Sequence, residues 1–234
     1  MFPELNNILN STPETCEQGK VVLLCDKLTD GTFLVHHFLS FYLKGGCKVC
    51  FLGLVQSFNH YNLVAQKLGV HLSAAREKGQ LVFLEGLRSS LDLILNDGQE
   101  STQQILSPLQ FLSSPNASLQ CLYDFVRVSL QETSETPWRF PVLIIDDLSV
   151  LLSLGVSPVN IMNFLHYCRA TVCSKFMVEG LTTGYCKDIH GQLTMTCRSP
   201  SPVKSEKNVN KIFQYKIQDK NVTFFARGTS SAVL

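Results

Sequence analysis

The chain has 234 residues, a formal net charge of +1 and 45% hydrophobic residues. This length and composition fit one α/β domain with a large packed core. The small net charge argues against a chain that coats nucleic acid by itself, because phosphate binding normally needs an excess of Lys and Arg. The absence of an apolar run of about 20 residues predicts no membrane span, and residues 1–4 have no secretory-signal pattern.

Charged residues make up only 17% of the chain, below the roughly 25% typical of soluble domains. Either a partner covers part of the surface, or the core is large and the loops are ordinary. Without a secretory signal, the nine cysteines are expected to be reduced thiols. Cys47 and Cys50 lie three apart on a predicted strand and therefore point to opposite faces, which argues against a zinc site. We predict no metal and no cofactor.

Residues 1–19 are predicted to form an N-terminal arm, because Phe2, Leu5, Ile8 and Leu9 have helical spacing. A short helix here would dock on the core or on a neighbouring molecule. Residues 20–234 are predicted to form a single domain. Within it, the polar stretches 96–118 and 198–211 are predicted to be flexible surface loops.

The hydrophobic pattern from residue 20 alternates between buried strands and helices, as in an α/β fold. Predicted strands lie at 20–25, 47–55, 80–84 and 142–146. Predicted helices lie at 32–44, after Ser57, at 73–78, at 117–131 and from Ser157 to about residue 173. A β-rich tail follows, with a strand at 192–197 and a hairpin of strands 212–218 and 222–226. Only residues 174–180 separate the last helix from this tail. Either 176–178 supply a short strand stub, or the strands at 20–25 and 142–146 pair directly.

The first strand, its loop and the next helix are arranged like the opening of a P-loop domain. A working P-loop needs G-x-x-x-x-G-K-[ST], because backbone N–H groups and a Lys hold the phosphates while the hydroxyl holds magnesium. Here only Gly31 matches. Asp26 replaces the first Gly, Thr32 replaces the Lys and Phe33 replaces the Ser/Thr. Two carboxylates, Asp26 and Asp30, would repel a polyanion, so we predict a degenerate P-loop.

The strand at 142–146 ends in Asp146 and Asp147, the four-apolar-then-acid pattern that holds magnesium in P-loop proteins (Walker B). Two interpretations remain open. The acids are remnants of a magnesium site, or they cap the next turn, as Asp often does after a strand.

A further candidate site is a basic stretch in the predicted loop at 198–211, where four cations accompany one acid, Glu206. It is either an RNA-phosphate contact or a solvated loop. The four candidate RNA-contact residues are Arg198, Lys204, Lys207 and Lys211.

Four stretches of the chain resemble the Elongator complex protein 6 family of mammals. They are DGTFLVHHFL at 30–39, IIDDLSVLLSLG at 144–155, HYCRATVC at 166–173 and YKIQDK at 215–220. The resemblance runs the length of the chain, except that about thirty residues after Cys173 have no counterpart. It therefore indicates either a shortened isoform or a chain from which a segment has been removed.

The resemblance implies a RecA-like, P-loop NTPase-type fold: a mostly parallel sheet flanked by helices, with a C-terminal β-hairpin and no working P-loop. It implies a non-catalytic subunit in a hexameric ring with Elongator complex proteins 4 and 5. Through that ring it would join the catalytic Elongator subunits, which modify the wobble uridine of tRNA at carbon 5, in the cytoplasm and nucleus. Contact with tRNA would be shared between subunits. The alternative function is a RecA-related ATPase that binds nucleotide through an atypical loop.

Overall fold

The structure is a computed structural model that describes residues 1–19, 21–86, 88–90, 108–109, 111, 118–131, 138–168, 173–179, 187–197 and 209–226. These residues form two compact units. The terminal unit comprises Met1–Phe38 and Ala170–Leu234, and the central unit comprises Leu39–Arg169. The single domain proposed for 20–234 stays a prediction. Most of 96–118 and 198–211 lies outside the described residues.

The terminal unit contains a five-stranded sheet with the strand order β1-β5-β6-β7-β8. Strand β1 pairs parallel with β5, whereas β5, β6, β7 and β8 pair antiparallel in succession. The strands are β1 (Val21–Lys27), β5 (Cys173–Glu179), β6 (Gly191–Cys197), β7 (Val209–Ile217) and β8 (Val222–Ala226). The predicted C-terminal hairpin is present, although β7 begins three residues earlier than expected, inside the predicted loop.

The N-terminal arm packs within the terminal unit. Its helix α1 spans Pro3–Leu9 and begins with Pro, whose missing N–H costs nothing in the first turn. Leu5 is completely buried, and the Glu4 carboxylate accepts a hydrogen bond of 2.8 Å from the N–H of Phe224 in β8. A short 3₁₀ turn, Pro13–Thr15, follows α1. Of the two predicted places for this helix, the structure shows packing on its own chain.

One prediction about the strands was wrong. The seven residues of β5 pair with all seven of β1, from Val21 opposite Cys173 to Lys27 opposite Glu179. The sequence predicted only a stub at 176–178 and a last helix that continues to about residue 173. Cys173 instead begins β5, and apolar periodicity alone does not mark where a helix stops. Residues 169–172 lie outside the described residues.

The central unit is built on a three-stranded parallel sheet with the order β3-β2-β4. Every residue of β2 is buried, as expected for a continuous apolar run covered on both faces. Its strands are β2 (Lys48–Gly53), β3 (Leu81–Glu85) and β4 (Pro141–Asp146). A single, mostly parallel sheet was expected. The described residues form two sheets instead, and three of their six strand pairings are antiparallel.

Helices flank the parallel strands of the central unit. Ser57 caps α3 as predicted, accepting a hydrogen bond from the N–H of His60 at 3.4 Å. Helix α2 begins in the terminal unit and ends in the central unit, at the bounds predicted for it. The helices are α2 (Thr32–Lys44), α3 (Phe58–Lys67), α4 (Leu72–Glu77), α5 (Gln120–Leu130), α6 (Leu148–Ser153) and α7 (Pro158–Cys168). Helix α6 was not predicted. None of the helices within the described residues has the length and hydropathy needed to cross a bilayer.

Candidate functional site

The predicted degenerate P-loop joins β1 to α2 in the terminal unit. The N–H of Gly31 donates to Oδ2 of Asp26 at 3.3 Å, and the N–H of Thr32 donates to Oδ1 of Asp30 at 2.8 Å. The Thr32 hydroxyl donates to the same Asp30 oxygen. A phosphate at a helix N-terminus is held by such N–H groups. In this loop two carboxylates of the chain itself accept their hydrogen bonds.

Phe33, which stands where a P-loop has its metal-binding hydroxyl, is a core residue. Its side chain is buried, and its ring centroid lies 5.1 Å from that of Tyr215 and 6.2 Å from that of Phe2. Tyr215 is also within 3.4 Å of the Thr29 hydroxyl, oxygen to oxygen. The second half of the loop is therefore tied to the hydrophobic core of the unit.

The tip of the same loop carries an apolar side chain on its outside. Leu28 is 90% exposed and has a φ of 62°. A left-handed backbone costs a residue with a Cβ roughly 1–2 kcal/mol, so Gly would be favoured there if the loop had only to turn. The loop therefore presents a leucine to its surroundings, next to the exposed Lys27.

Asp146, the first acid after β4 in the central unit, is held by a tyrosine. The hydroxyl of Tyr61 donates to Asp146 Oδ2 at 2.5 Å. Tyr61 is fully buried in α3, and burial, with the hydrogen bond to Asp146 next, raises the pKa of its hydroxyl. The phenol therefore stays protonated and donates to the carboxylate. No local sequence pattern could have revealed this pair, because the two residues lie 85 positions apart in the chain.

Asp147, the second acid, caps helix α6. Its Oδ1 accepts hydrogen bonds from the Ser149 N–H at 2.8 Å and the Ser149 hydroxyl at 2.6 Å. The same hydroxyl lies 2.7 Å from Oδ2. This geometry matches the capping interpretation of the sequence. A magnesium-side role for Asp146 and Asp147 stays a prediction.

We expect Asp147→Ala to lower the free energy of unfolding of the central unit by about 1 kcal/mol, because it removes the N-cap of α6. Asp147→Asn should retain most of that stability, since Asn caps helices as well as Asp does. Urea unfolding of the wild type and both variants measures the difference. Equal losses for Ala and Asn would mean that the charge of Asp147, and not its capping geometry, stabilises the unit.

Two histidines of the described residues accept hydrogen bonds from backbone N–H groups. His37 in α2 accepts a hydrogen bond from the Phe2 N–H at 3.1 Å, and His190 accepts one from the Ile217 N–H at 3.1 Å.

Burial raises the pKa of Cys50 to about 12 and that of Cys168 to about 11, so both thiols stay protonated. No group of three metal-ligating side chains occurs among the described residues.

Of the four candidate RNA-contact residues, only Lys211 lies within the described part of the chain. It is exposed in β7, opposite Met195 of β6. Arg198, Lys204 and Lys207 lie outside the described residues. The RNA-contact interpretation therefore stays a prediction.

The fold and the loop define a class: an α/β protein with helix-flanked parallel strands, in which carboxylates accept hydrogen bonds from the N–H groups of the first strand–loop–helix connection. The family model "Elongation complex protein 6" matches residues 2–177 and 175–219. The chain belongs to the Elongation complex protein 6 family. It is 50% identical to Elongator complex protein 6 of Mus musculus and 49% identical to that of Homo sapiens, with both chains covered completely in each comparison. The Dictyostelium discoideum relative is 25% identical over 90% of this chain and 91% of its own length.

The comparisons also show how this chain differs in length from its relatives and where its match to the family model is divided. The alignment with the mouse relative has 271 positions against 234 residues in this chain, a difference of 37. The two segments matched by the family model meet at residues 175–177. The match to the family model is therefore divided within the strand β5.

One solved structure covers nearly the whole chain at low similarity. An uncharacterised protein of Pyrococcus horikoshii, crystallised in complex with an unknown peptide, aligns with 97% of this chain and 98% of its own. The TM-score is 0.46 and the sequence identity is 14%. A similarity this low carries no conclusion about the fold or the function of this chain.

Proposed function

We propose that this chain is a non-catalytic subunit of the Elongator complex, with a RecA-like fold and a degenerate P-loop. One observation carries the non-catalytic part: the Gly31 and Thr32 N–H groups of the loop are hydrogen-bonded to Asp26 and Asp30. A nucleotide phosphate would have to displace both carboxylates and then lie beside them. A phosphate placed beside these two carboxylates would meet like charges, which disfavours its binding.

Family membership supports the assembly part of the proposal. In it, the chain takes its place in a hetero-hexameric ring with Elongator complex proteins 4 and 5, and through the ring joins the catalytic Elongator subunits. The ring supports modification of the tRNA wobble uridine at carbon 5, in the cytoplasm and nucleus. With a net charge of +1, this chain would bind tRNA only together with other subunits.

Co-expression of the tagged chain with Elongator complex proteins 4 and 5 tests the assembly. We expect all three proteins to co-purify in equal amounts, with the mass of a hexamer by light scattering. Recovery of the tagged chain alone, as a monodisperse monomer, would contradict the assembly. tRNA binding by rings assembled with and without this chain then tests its role in RNA contact.

We expect the isolated chain not to bind Mg-ATP at physiological concentration. The loop has Thr32 where a P-loop has its Lys and Phe33 where a P-loop has its metal-binding hydroxyl, and it carries the carboxylates Asp26 and Asp30. Calorimetry should therefore give a dissociation constant above about 1 mM, which corresponds to roughly −4 kcal/mol. Tighter binding that requires magnesium would favour the alternative function, an ATPase with an atypical loop.

A further inference from the structure

The two helices that follow β4 in the central unit have a surface without charged side chains. Residues 148–168, which include α6 and α7, contain no Asp, Glu, Lys or Arg. Thirteen of these residues are exposed. A surface designed for solubility carries about 25–35% charged residues, so about three to five charges would be expected among thirteen. We call these thirteen residues the α6–α7 surface.

Large apolar side chains occupy much of the α6–α7 surface. On α7, Ile161 and Phe164 face the core, whereas Val159 and Met162 point outward with 66% and 64% of their surface exposed. Tyr167, in the last turn of α7, is 69% exposed and packs against Tyr123 of α5 with ring centroids 6.0 Å apart. Leu152 and Leu154, at the end of α6, are about half exposed. Exposed apolar groups clustered in this way mark interaction sites.

The composition of the surface indicates the chemistry of its partner. Nucleic acid requires Lys or Arg against its phosphates, and membrane-surface helices carry Lys or Arg on their polar face; the α6–α7 surface has neither. A charged side chain from a protein partner would lose its hydration here without gaining a counter-charge. The surface is therefore complementary to an apolar protein surface that is also uncharged and bears hydrogen-bonding groups for Asn160, Asn163 and Tyr167.

We propose that the α6–α7 surface packs against such an uncharged, apolar surface of a neighbouring protein subunit. This inference rests on the proposed function, in which the neighbour is another subunit of the ring. Thirteen residues are about half of the 20–30 that each side of a standard interface uses. The α6–α7 surface would thus form the apolar centre of the contact, where truncations have the largest effects.

Co-expression with Elongator complex proteins 4 and 5 tests this assignment through Met162→Asp. We expect at least a hundredfold weaker binding of the partners, because the new carboxylate would be buried without a counter-charge. Met162→Leu retains an apolar side chain of similar volume and should bind like the wild type. Leu63→Asp is the matched control: Leu63 is 63% exposed on α3 of the same unit but lies outside the α6–α7 surface. It should bind like the wild type too.

Each outcome of this experiment bears on a different statement. Wild-type chain that recovers neither partner would overturn the proposed function and this inference with it. Wild type and Met162→Asp that recover both partners equally would overturn only the inference. Thermal melts of the isolated chains complete the test: a Met162→Asp melting temperature more than a few degrees below that of Leu63→Asp would show that a segment of this chain covers the surface instead.

Discussion

Phe51→Ala is expected to lower the free energy of unfolding of the central unit by about 3–5 kcal/mol. Phe51 lies in the middle of β2 and is completely buried. Its ring is stacked on that of Phe83 with centroids 5.0 Å apart, and lies 4.7 Å from the ring of Tyr61. Truncation removes these contacts and leaves a cavity that the strands on either side of β2 keep from collapsing. The loss is a large part of the roughly 5–15 kcal/mol that stabilises a domain.

The same change should disturb the site at Asp146, because the Phe51 ring supports the Tyr61 ring whose hydroxyl donates to Asp146. Urea unfolding, monitored by circular dichroism, measures the loss in the free energy of unfolding. Leu63→Ala, which truncates an exposed side chain of the same unit, is the control and should cost less than about 0.5 kcal/mol. A loss below about 1 kcal/mol for Phe51→Ala would mean that the aromatic cluster is not packed as described.

The stability of the terminal unit should fall as the pH is lowered from about 6.5 toward 3, because of His37. Burial, and next the positive charge of the N-terminus, lowers the pKa of His37 from 6.5 to about 3. Above pH 6.5 the imidazole is neutral in both the folded and the unfolded chain, so it gives no pH dependence. Below pH 6.5 the unfolded chain binds a proton that the folded chain cannot bind. The free energy of unfolding therefore decreases by up to about 1.4 kcal/mol per pH unit.

His37→Gln isolates this effect, because Gln does not titrate but can still accept the hydrogen bond from the Phe2 N–H. The unfolding free energies of the variant and the wild type, measured at pH 7, 6, 5 and 4, should diverge below pH 6.5. The difference should grow by up to about 1.4 kcal/mol per pH unit, which corresponds to one proton. His166→Gln, which removes an exposed histidine of the central unit, controls for the loss of an imidazole. Parallel pH profiles for wild type and His37→Gln would show that His37 protonates without unfolding the arm.

Much of the fold follows from local patterns in the sequence. The continuous apolar run at 47–55 predicted a strand buried on both faces, and every residue of β2 is buried. Helix α2 ends at Lys44 and helix α3 is capped by Ser57, both as predicted. These signals are local, because capping and periodicity act within one turn or one strand. Strand β5 was missed because its seven residues follow a helical pattern with no turn residue between them.

For the candidate sites, too, the sequence establishes which residue types are present, and the structure establishes which of them are in contact. The residue types alone establish that Thr32 stands where a P-loop has its Lys and Phe33 where it has its metal-binding hydroxyl. The hydrogen bonds of this loop are seen only in the folded chain: the Asp26 and Asp30 carboxylates accept hydrogen bonds from the N–H groups of Gly31 and Thr32. It also decided that Tyr61 holds Asp146. Contacts between residues far apart in the chain depend on which elements pack together, and that is set by the burial of whole strands and helices rather than by any short motif.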